Sequence, residues 1–272
     1  MTTHNAMHQM KTLCSSCSLR ELCLPVGLLP NEFAQLDAVI RQSRRLKKGE
    51  YLFRTGEPFA SLFAIRAGFF KTTVASQDGR DQVTGFFMSG ELIGMDGICS
   101  HVHSCDAVAL EDSEVCELPF THIEELGHNI PSLRSHFFRL MSREIVRDQG
   151  VMLLLGNMRA EERLAAFLLN LSQRLYSRGF AANDFILRMS REEIGSYLGL
   201  KLETVSRTLS KFHHEGLISV EHKHIKILDS QALKKNGVRL FARHLMDTET
   251  IFKQNPRSSE KFSDDLLHKI QL

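Results

Sequence analysis

The chain lacks long hydrophobic runs and carries little net charge. No segment approaches the roughly 18 apolar residues that a membrane helix needs, and residues 1–11 contain no apolar core of the signal-peptide type. These absences predict a cytoplasmic protein. The formal net charge is +2, so the whole-chain balance neither requires nor excludes nucleic acid, and any basic surface has to be local.

Hydrophobic residues make up 43% and charged residues 24% of the 272 positions. This composition predicts a packed globular interior, and the length predicts about two domains.

Cysteine is scarce, with six residues at irregular spacings. In a reducing compartment such spacings argue for metal or redox chemistry rather than a disulfide framework. Cys14, Cys17 and Cys23 form a C-x2-C-x5-C run, and Cys116 stands alone in a strand-like stretch. Thiolates hold iron–sulfur clusters, but four cysteines equally hold zinc. The polar surroundings of the first three favour a metal, whereas Cys116 alone reads more simply as a small buried side chain.

A second series, Cys99, His101, His103 and Cys105, alternates along the chain. In a strand, these four side chains would share one face and could bind zinc or another soft metal. In a loop, they would be four solvated residues.

Glycine is concentrated between Gly49 and Gly97, where Gly56, Gly68, Gly79 and Gly90 recur every eleven or twelve residues. Regular turn residues between short β-rich segments predict an antiparallel all-β domain. The predicted strands lie at 51–53, 62–65, 69–74 and 83–87, with a hairpin loop at 77–80. We expect a compact roll or barrel over roughly 44–120.

A long helical period follows Pro131 and continues to about Asn157. It contains a coiled-coil seam spaced four, three, four and three residues apart, which predicts a homodimer; the seam residues are Met141, Ile145, Asp148, Met152 and Leu155. At a two-fold interface two Asp148 carboxylates would oppose association. Alternatively, the seam is rotated and Asp148 points to water.

Residues 189–212 have helix-turn-helix spacing. Ser190 and Glu193 predict a capping box, and Gly199 predicts the tight turn between the helices. The second helix of this motif reads the major groove with its N-terminal residues, here Lys201, Glu203, Thr204, Ser206 and Arg207. Arg207 suits guanine and Glu203 a cytosine amino group, although the two also have the spacing of an i,i+4 surface ion pair. A hairpin with a basic tip at 222–224 follows.

The order of β-roll, long helix and winged helix-turn-helix resembles that of the cyclic-AMP receptor protein and FNR family of bacterial transcription regulators. The resemblance covers about Leu13 to Leu228 and identifies the chain as an FNR-type member. It rests on the strings at 17–25, 46–50, 82–86, 115–120, 160–165, 194–200 and 203–207.

The resemblance implies an α+β chain divided into five parts: an N-terminal cysteine arm at 1–30, a β-roll sensor of the cyclic-nucleotide-binding type at 31–130, a dimerisation helix at 131–158, a winged helix-turn-helix domain at 159–230 and an extension without an assigned role at 231–272. It also implies that Cys14, Cys17, Cys23 and Cys116 hold an oxygen-labile [4Fe–4S] cluster.

For partners, the resemblance implies a palindrome with half-sites like TTGAT, read by Glu203, Ser206 and Arg207, and contact with RNA polymerase. Cyclic nucleotide is not expected, because Met95 to Asp106 contains no Arg or Lys to compensate a buried phosphate.

The leading hypothesis is an oxygen switch, in which the intact cluster favours a DNA-binding dimer. One alternative keeps the DNA binding but gives the chain a structural zinc or another signal. The alternative from another class is a cysteine-based metal or redox enzyme. Against it, the sequence contains no nucleophile–base constellation or phosphate loop, and a helix-turn-helix would have no purpose there.

Overall fold

The structure is a computed structural model that describes Cys17, Cys23, Gly79 and the ranges 28–39, 43–75 and 81–236. It has the predicted α+β architecture: a short helix α1 (Pro30–Val39), a β-roll, three consecutive helices and a winged helix-turn-helix. No helix within these described residues is both long and apolar enough to span a membrane.

Two antiparallel four-stranded sheets form the roll. One has the strand order β1-β8-β3-β6 and the other β2-β7-β4-β5. The predicted strands at 51–53, 62–65, 69–74 and 83–87 all lie within observed strands. The bounds are β1 Ser43–Leu46, β2 Tyr51–Phe53, β3 Ser61–Ala67, β4 Phe69–Ala75, β5 Asp81–Met88, β6 Leu92–Ile93, β7 Asp106–Ala109 and β8 Ser113–Pro119.

An apolar core that includes Phe53, Phe63, Ile65, Phe70 and Phe87 fills the roll. Alternating inward and outward side chains along each strand place these residues on the inner faces. The predicted all-β domain is therefore confirmed.

Three helices follow the roll: α2 (Phe120–Asn129), α3 (Pro131–Asn157) and α4 (Ala160–Tyr176). Pro131 lies in the first turn of α3, where its missing N–H leaves no additional backbone group unpaired. The predicted long helix from Pro131 to Asn157 is confirmed. Helix α4 ends three residues before Gly179, whose φ of 82° suits glycine.

The helix-turn-helix consists of α5 (Arg191–Leu198) and α6 (Leu202–His214). The predicted capping box is present, because the Ser190 side chain accepts from the Glu193 N–H while the Glu193 carboxylate accepts from the Ser190 N–H. Gly199 ends α5 in the left-handed conformation. Around the motif, β9 (Asp184–Ile186), β10 (Ile218–Glu221) and β11 (His224–Ile227) form a three-stranded wing in the order β10-β11-β9.

A final helix α7 (Ser230–Asn236) packs on α4. Leu233 is fully buried in the same core as Leu164, Ile194 and Leu209. The start of the segment that the sequence set apart as an extension therefore packs with the helix-turn-helix domain, and residues 237–272 lie outside the described residues.

Candidate functional site

Three of the four predicted cysteine ligands lie close to one another. Cys116 is a buried residue of β8, paired in register with Ala64 of β3. Cys23 packs against the small cluster formed by Ala64, Leu92 and Cys116. Burial, followed by the neighbouring thiols of Cys17 and Cys116, raises the pKa of Cys23 to about 12. The fourth predicted ligand, Cys14, lies outside the described residues.

The donor chemistry of this region fits a soft metal. Burial, followed by the nearby Cys17 thiol, raises the pKa of Cys116 to about 11, so without a cation this sulfur keeps its proton. A bound metal replaces such protons and takes the thiolates as ligands. Among the described residues, no three His, Cys, Asp or Glu side chains are arranged as a group that could hold a metal ion. The ligand set therefore stays a prediction that includes Cys14.

His136 of α3 reaches the same region and was missed in the sequence analysis. Its Nε2 lies 3.2 Å from the backbone oxygen of Cys23, and its side chain is buried. Burial, followed by the charges of Arg139 and Arg143, lowers the pKa of His136 to about 4. The neutral ring with Nε2 protonated donates to that oxygen, which connects the cysteine arm to the long helix. A single histidine in a helical pattern gives no sequence signal for this contact.

The series from Cys99 to Cys105 does not share the face of a strand, and the metal interpretation of it is wrong. Cys99 and His101 are exposed in a loop, whereas His103 and Cys105 are buried. Asp96 holds the buried pair, with Oδ1 3.3 Å from His103 Nδ1 and Oδ2 3.5 Å from Cys105 Sγ. The interpretation as four solvated residues is right for only the first two.

An apolar stripe lies open along α3. Phe138, Ile145 and Met152 recur every seven residues and are 62%, 56% and 69% exposed. Of the other predicted seam residues, Asp148 and Leu155 are exposed and Met141 is partly buried. Phe138 was not predicted, although its spacing of seven residues before Ile145 was visible in the sequence. The stripe has the heptad spacing of a helix-pairing surface, and Asp148 lies on it.

The N-terminal part of α6 presents the predicted base-reading residues. Lys201, Glu203 and Arg207 are exposed, and Thr204 and Ser206 are partly exposed. Val205, Thr208 and Leu209 face inward and hold the helix in the domain core. Among the described ion pairs there is none between Glu203 and Arg207, so both charged groups are open to a ligand.

The wing follows the recognition helix and carries the predicted basic tip. His222 and Lys223 are exposed in the turn between β10 and β11. Lys223 Nζ donates to the backbone oxygen of Arg188 at 3.3 Å. A cleft between α6 and the wing is lined by residues that include Arg191, His213, His214 and His222. This arrangement adds hydrogen-bond donors beside the recognition helix.

Comparison with known proteins first gives the class. Residues 43–129 match the cyclic nucleotide-binding domain family, and residues 162–235 match the Crp-like helix-turn-helix domain family. A roll of this family followed by a Crp-like helix-turn-helix is the organisation of a transcription regulator rather than of an enzyme.

The relatives then give the family. Transcriptional activator protein anr of Pseudomonas aeruginosa is 50% identical over 217 residues, which cover 80% of this chain and 89% of the relative. The fumarate and nitrate reduction regulatory protein of Salmonella typhimurium is 46% identical over 220 residues, which cover 81% and 88%. FixK2 from Bradyrhizobium japonicum has a TM-score of 0.67 and 29% identity, covering 72% of this chain and 97% of that structure. The chain belongs to the CRP/FNR family of transcription regulators, which confirms the predicted resemblance.

Proposed function

We propose that this regulator senses oxygen through a [4Fe–4S] cluster held by Cys14, Cys17, Cys23 and Cys116. When intact, such a cluster would supply an oxygen-labile link between the N-terminal arm and the roll. The names of the relatives, an activator and a fumarate and nitrate reduction regulator, support a role in anaerobic gene control.

The contact between His136 and Cys23 carries this proposal. It joins the arm, which supplies three of the proposed ligands, to α3, which carries the exposed apolar stripe. The position of the arm and the position of the helix are therefore physically dependent on each other. Loss of the link would release Cys23 and the His136 contact together.

Association through the stripe is the second step of the proposal. Burying Phe138, Ile145 and Met152 against a partner removes apolar surface from water and favours the homodimer. Two Asp148 carboxylates approach each other in that dimer and oppose it. The opposition keeps the dimer marginal, so that a modest contribution from the ordered arm decides the equilibrium. A coupling of about 1–3 kcal/mol changes affinity 5–150-fold.

DNA recognition requires both subunits. Two α6 helices spaced about one DNA turn, roughly 34 Å, apart would enter successive major grooves of a palindrome like TTGAT-N4-ATCAA. Arg207 would pair with guanine, Glu203 would accept from a cytosine amino group, and Ser206 would complete the contact. A single helix would bind weakly, so dissociation in air would release the DNA.

Cyclic nucleotide is excluded from this proposal on chemical grounds. The stretch from Met95 to Asp106 offers no cation for a phosphate. The rings of Phe53 and His103 stack with centroids 3.7 Å apart within the roll, and the Glu91 carboxylate is already paired with Arg174. We propose contact with RNA polymerase on the basis of the family resemblance. We propose that the protein acts in the cytoplasm because its proposed partner is DNA.

A cysteine pair tests the sensor. Cys116→Ser should abolish iron and acid-labile sulfide after anaerobic purification and should shift the protein to the monomer. Cys99→Ser is the matched control, because Cys99 is an exposed loop residue outside the proposed ligand set. Full iron content in Cys116→Ser would overturn the ligand assignment. Zinc in place of iron in the unmodified protein would support the structural-metal alternative.

A recognition-helix variant tests the output. Arg207→Ala should lose sequence-specific DNA binding, with a cost of about 1–3 kcal/mol for one bidentate base contact, while its iron content and dimerisation stay unchanged. Unaltered affinity for the palindrome, measured anaerobically by fluorescence anisotropy, would contradict the proposed base-reading role.

A further inference from the structure

A buried ion cluster joins the roll to the DNA-binding domain. Glu91 lies in the turn before β6, and its carboxylate pairs with two arginines of the segment that ends α4. Arg174 Nη2 lies 2.6 Å from Oε2, and Arg178 Nη2 lies 2.5 Å from Oε1. The side chains of Glu91, Arg174 and Arg178 are 15%, 11% and 6% exposed. All three are therefore largely removed from water.

The two arginines also bind the backbone of the roll. Arg174 Nη2 donates to the oxygen of Phe86 at 2.7 Å, and Arg178 Nε donates to the oxygen of Ser89 at 2.5 Å. Each guanidinium thus contacts both a charge and a carbonyl on the opposite domain. Removing one of these charges while the domains stay in contact would leave its partners buried and unpaired, which is strongly unfavourable.

A second arginine-centred contact fixes the helix-turn-helix to the long helix. Arg163 donates to three backbone oxygens at the ends of two helices, those of Leu155 at 2.8 Å, Met158 at 2.9 Å and Leu198 at 3.0 Å. The first two belong to the end of α3 and the third to the end of α5. The connection between α3 and α4 is consequently braced rather than left as an open hinge.

Helix α5 itself packs on β5 of the roll. The Val83 N–H donates to Ser196 Oγ at 2.8 Å, and Lys71 Nζ lies 2.8 Å from Glu193 Oε1. The Phe86 ring contacts the Tyr197 ring with centroids 5.2 Å apart. One continuous core contains Phe86 of the roll together with residues of α4, α5 and α6.

We propose that Glu91 is a positioning residue that fixes the recognition helix relative to the roll, while Arg163 fixes the same domain to α3. Each subunit then behaves as a rigid body, so a change at the cysteine site does not rotate the DNA-binding domain relative to the roll. This inference rests on the proposed function. The observations behind it are the paired Glu91, the Arg163 contacts and the shared core.

The first test compares Glu91→Gln with Asp112→Asn in the full chain purified without oxygen. Asp112 pairs with Lys47 at 2.6 Å entirely within the roll, so its variant removes a carboxylate without touching the DNA-binding domain. Glu91→Gln should keep its iron content and dimer fraction but bind the palindrome about tenfold more weakly, within the range of typical couplings. Glu91→Asp should recover part of the affinity. Affinity of Glu91→Gln within about twofold of the unmodified protein would overturn the proposal, since that is below typical coupling.

The second test uses the protein without a destabilising change. Spin labels attached through non-cysteine handles at the exposed positions Glu57 of the roll and Lys226 of the wing report the distance between the domains. When labelled protein is mixed with an excess of unlabelled protein, so that each dimer carries one labelled subunit, a rigid subunit predicts the same distance distribution in the anaerobic dimer and in the air-exposed monomer. A shifted or broadened distribution in the monomer would overturn the rigid-subunit inference, even if Glu91→Gln failed to fold.

Failure of the rigid-subunit inference can be distinguished from failure of the proposed oxygen switch. If the unmodified protein lacks iron or stays dimeric in air, the oxygen switch itself is wrong. If it switches as proposed but the interdomain distance changes, only the rigid-subunit inference is wrong.

Discussion

Replacing Ile145 by Ala should weaken the dimer sharply. Ile145 lies at the centre of the exposed stripe on α3, with Phe138 and Met152 seven residues away on either side. Alanine is a better helix former than isoleucine, so the helix itself should not be weakened. The substitution therefore removes apolar contact area and little else.

The expected loss of dimerisation free energy follows from the exposed fraction of the Ile145 side chain. The change removes three carbon atoms, worth about 2.4 kcal/mol at about 0.8 kcal/mol per buried CH2. Ile145 is 56% exposed in one subunit, so a partner can cover roughly that share, about 1.3 kcal/mol per subunit. Both subunits together lose about 2.7 kcal/mol, which corresponds to a roughly 100-fold weaker dimerisation constant.

Sedimentation equilibrium without oxygen measures this constant. Leu153→Ala is the matched control, because Leu153 is 50% exposed on the same helix but lies off the heptad stripe. We expect the control to dimerise normally. Equal weakening in both variants, or no weakening in Ile145→Ala, would refute the assignment of the stripe as the dimer interface.

Three further predictions concern charge, backbone space and pH. Asp148→Ala should increase the dimer fraction in air, and an unchanged sedimentation profile would place Asp148 in water. Gly195→Ala should destabilise the protein to urea by about 1–3 kcal/mol, because a Cβ there would lie 2.6 Å from the Leu200 oxygen; Gly156→Ala, with open space, should not. Burial alone would raise the pKa of Glu91, but Arg174 and Arg178 outweigh it and lower the pKa from 4.5 to about 2. The ionised Glu91 carboxylate thus contributes fully to the free energy of unfolding above pH 4.5, and this contribution is lost as pH falls toward 2. The free energy of unfolding of Glu91→Gln should therefore fall less over that range than that of the unmodified protein. Identical dependence on pH in the two proteins would contradict the prediction.

Much of the fold was predictable because local signals agree with the tertiary structure. Glycine spacing gave strands within β2 to β5, and the capping box at Ser190 and Glu193 fixed the start of α5. The short strands β6 and β9 were not predicted, since two or three residues carry no usable periodicity; β2 is equally short and was predicted only from the glycine spacing around it. Helix α7 was also missed, because the burial of Leu233 depends on α4 far earlier in the chain.

The site was predictable only in part. The cysteine and recognition-helix residues follow from spacing and family resemblance, so they could be named without coordinates. The His136 contact, the Arg163 brace and the pairing of Glu91 could not, because they join residues 35 or more positions apart or depend on a backbone oxygen. Charged groups in a sequence do not reveal which of them are buried together.

The most direct test of the oxygen switch is anaerobic purification followed by the visible absorption spectrum, iron and sulfide content and sedimentation, before and after exposure to air. The proposal predicts a broad thiolate-to-iron band that bleaches in air as the dimer dissociates. A colourless protein that contains zinc and stays dimeric under both conditions would contradict it.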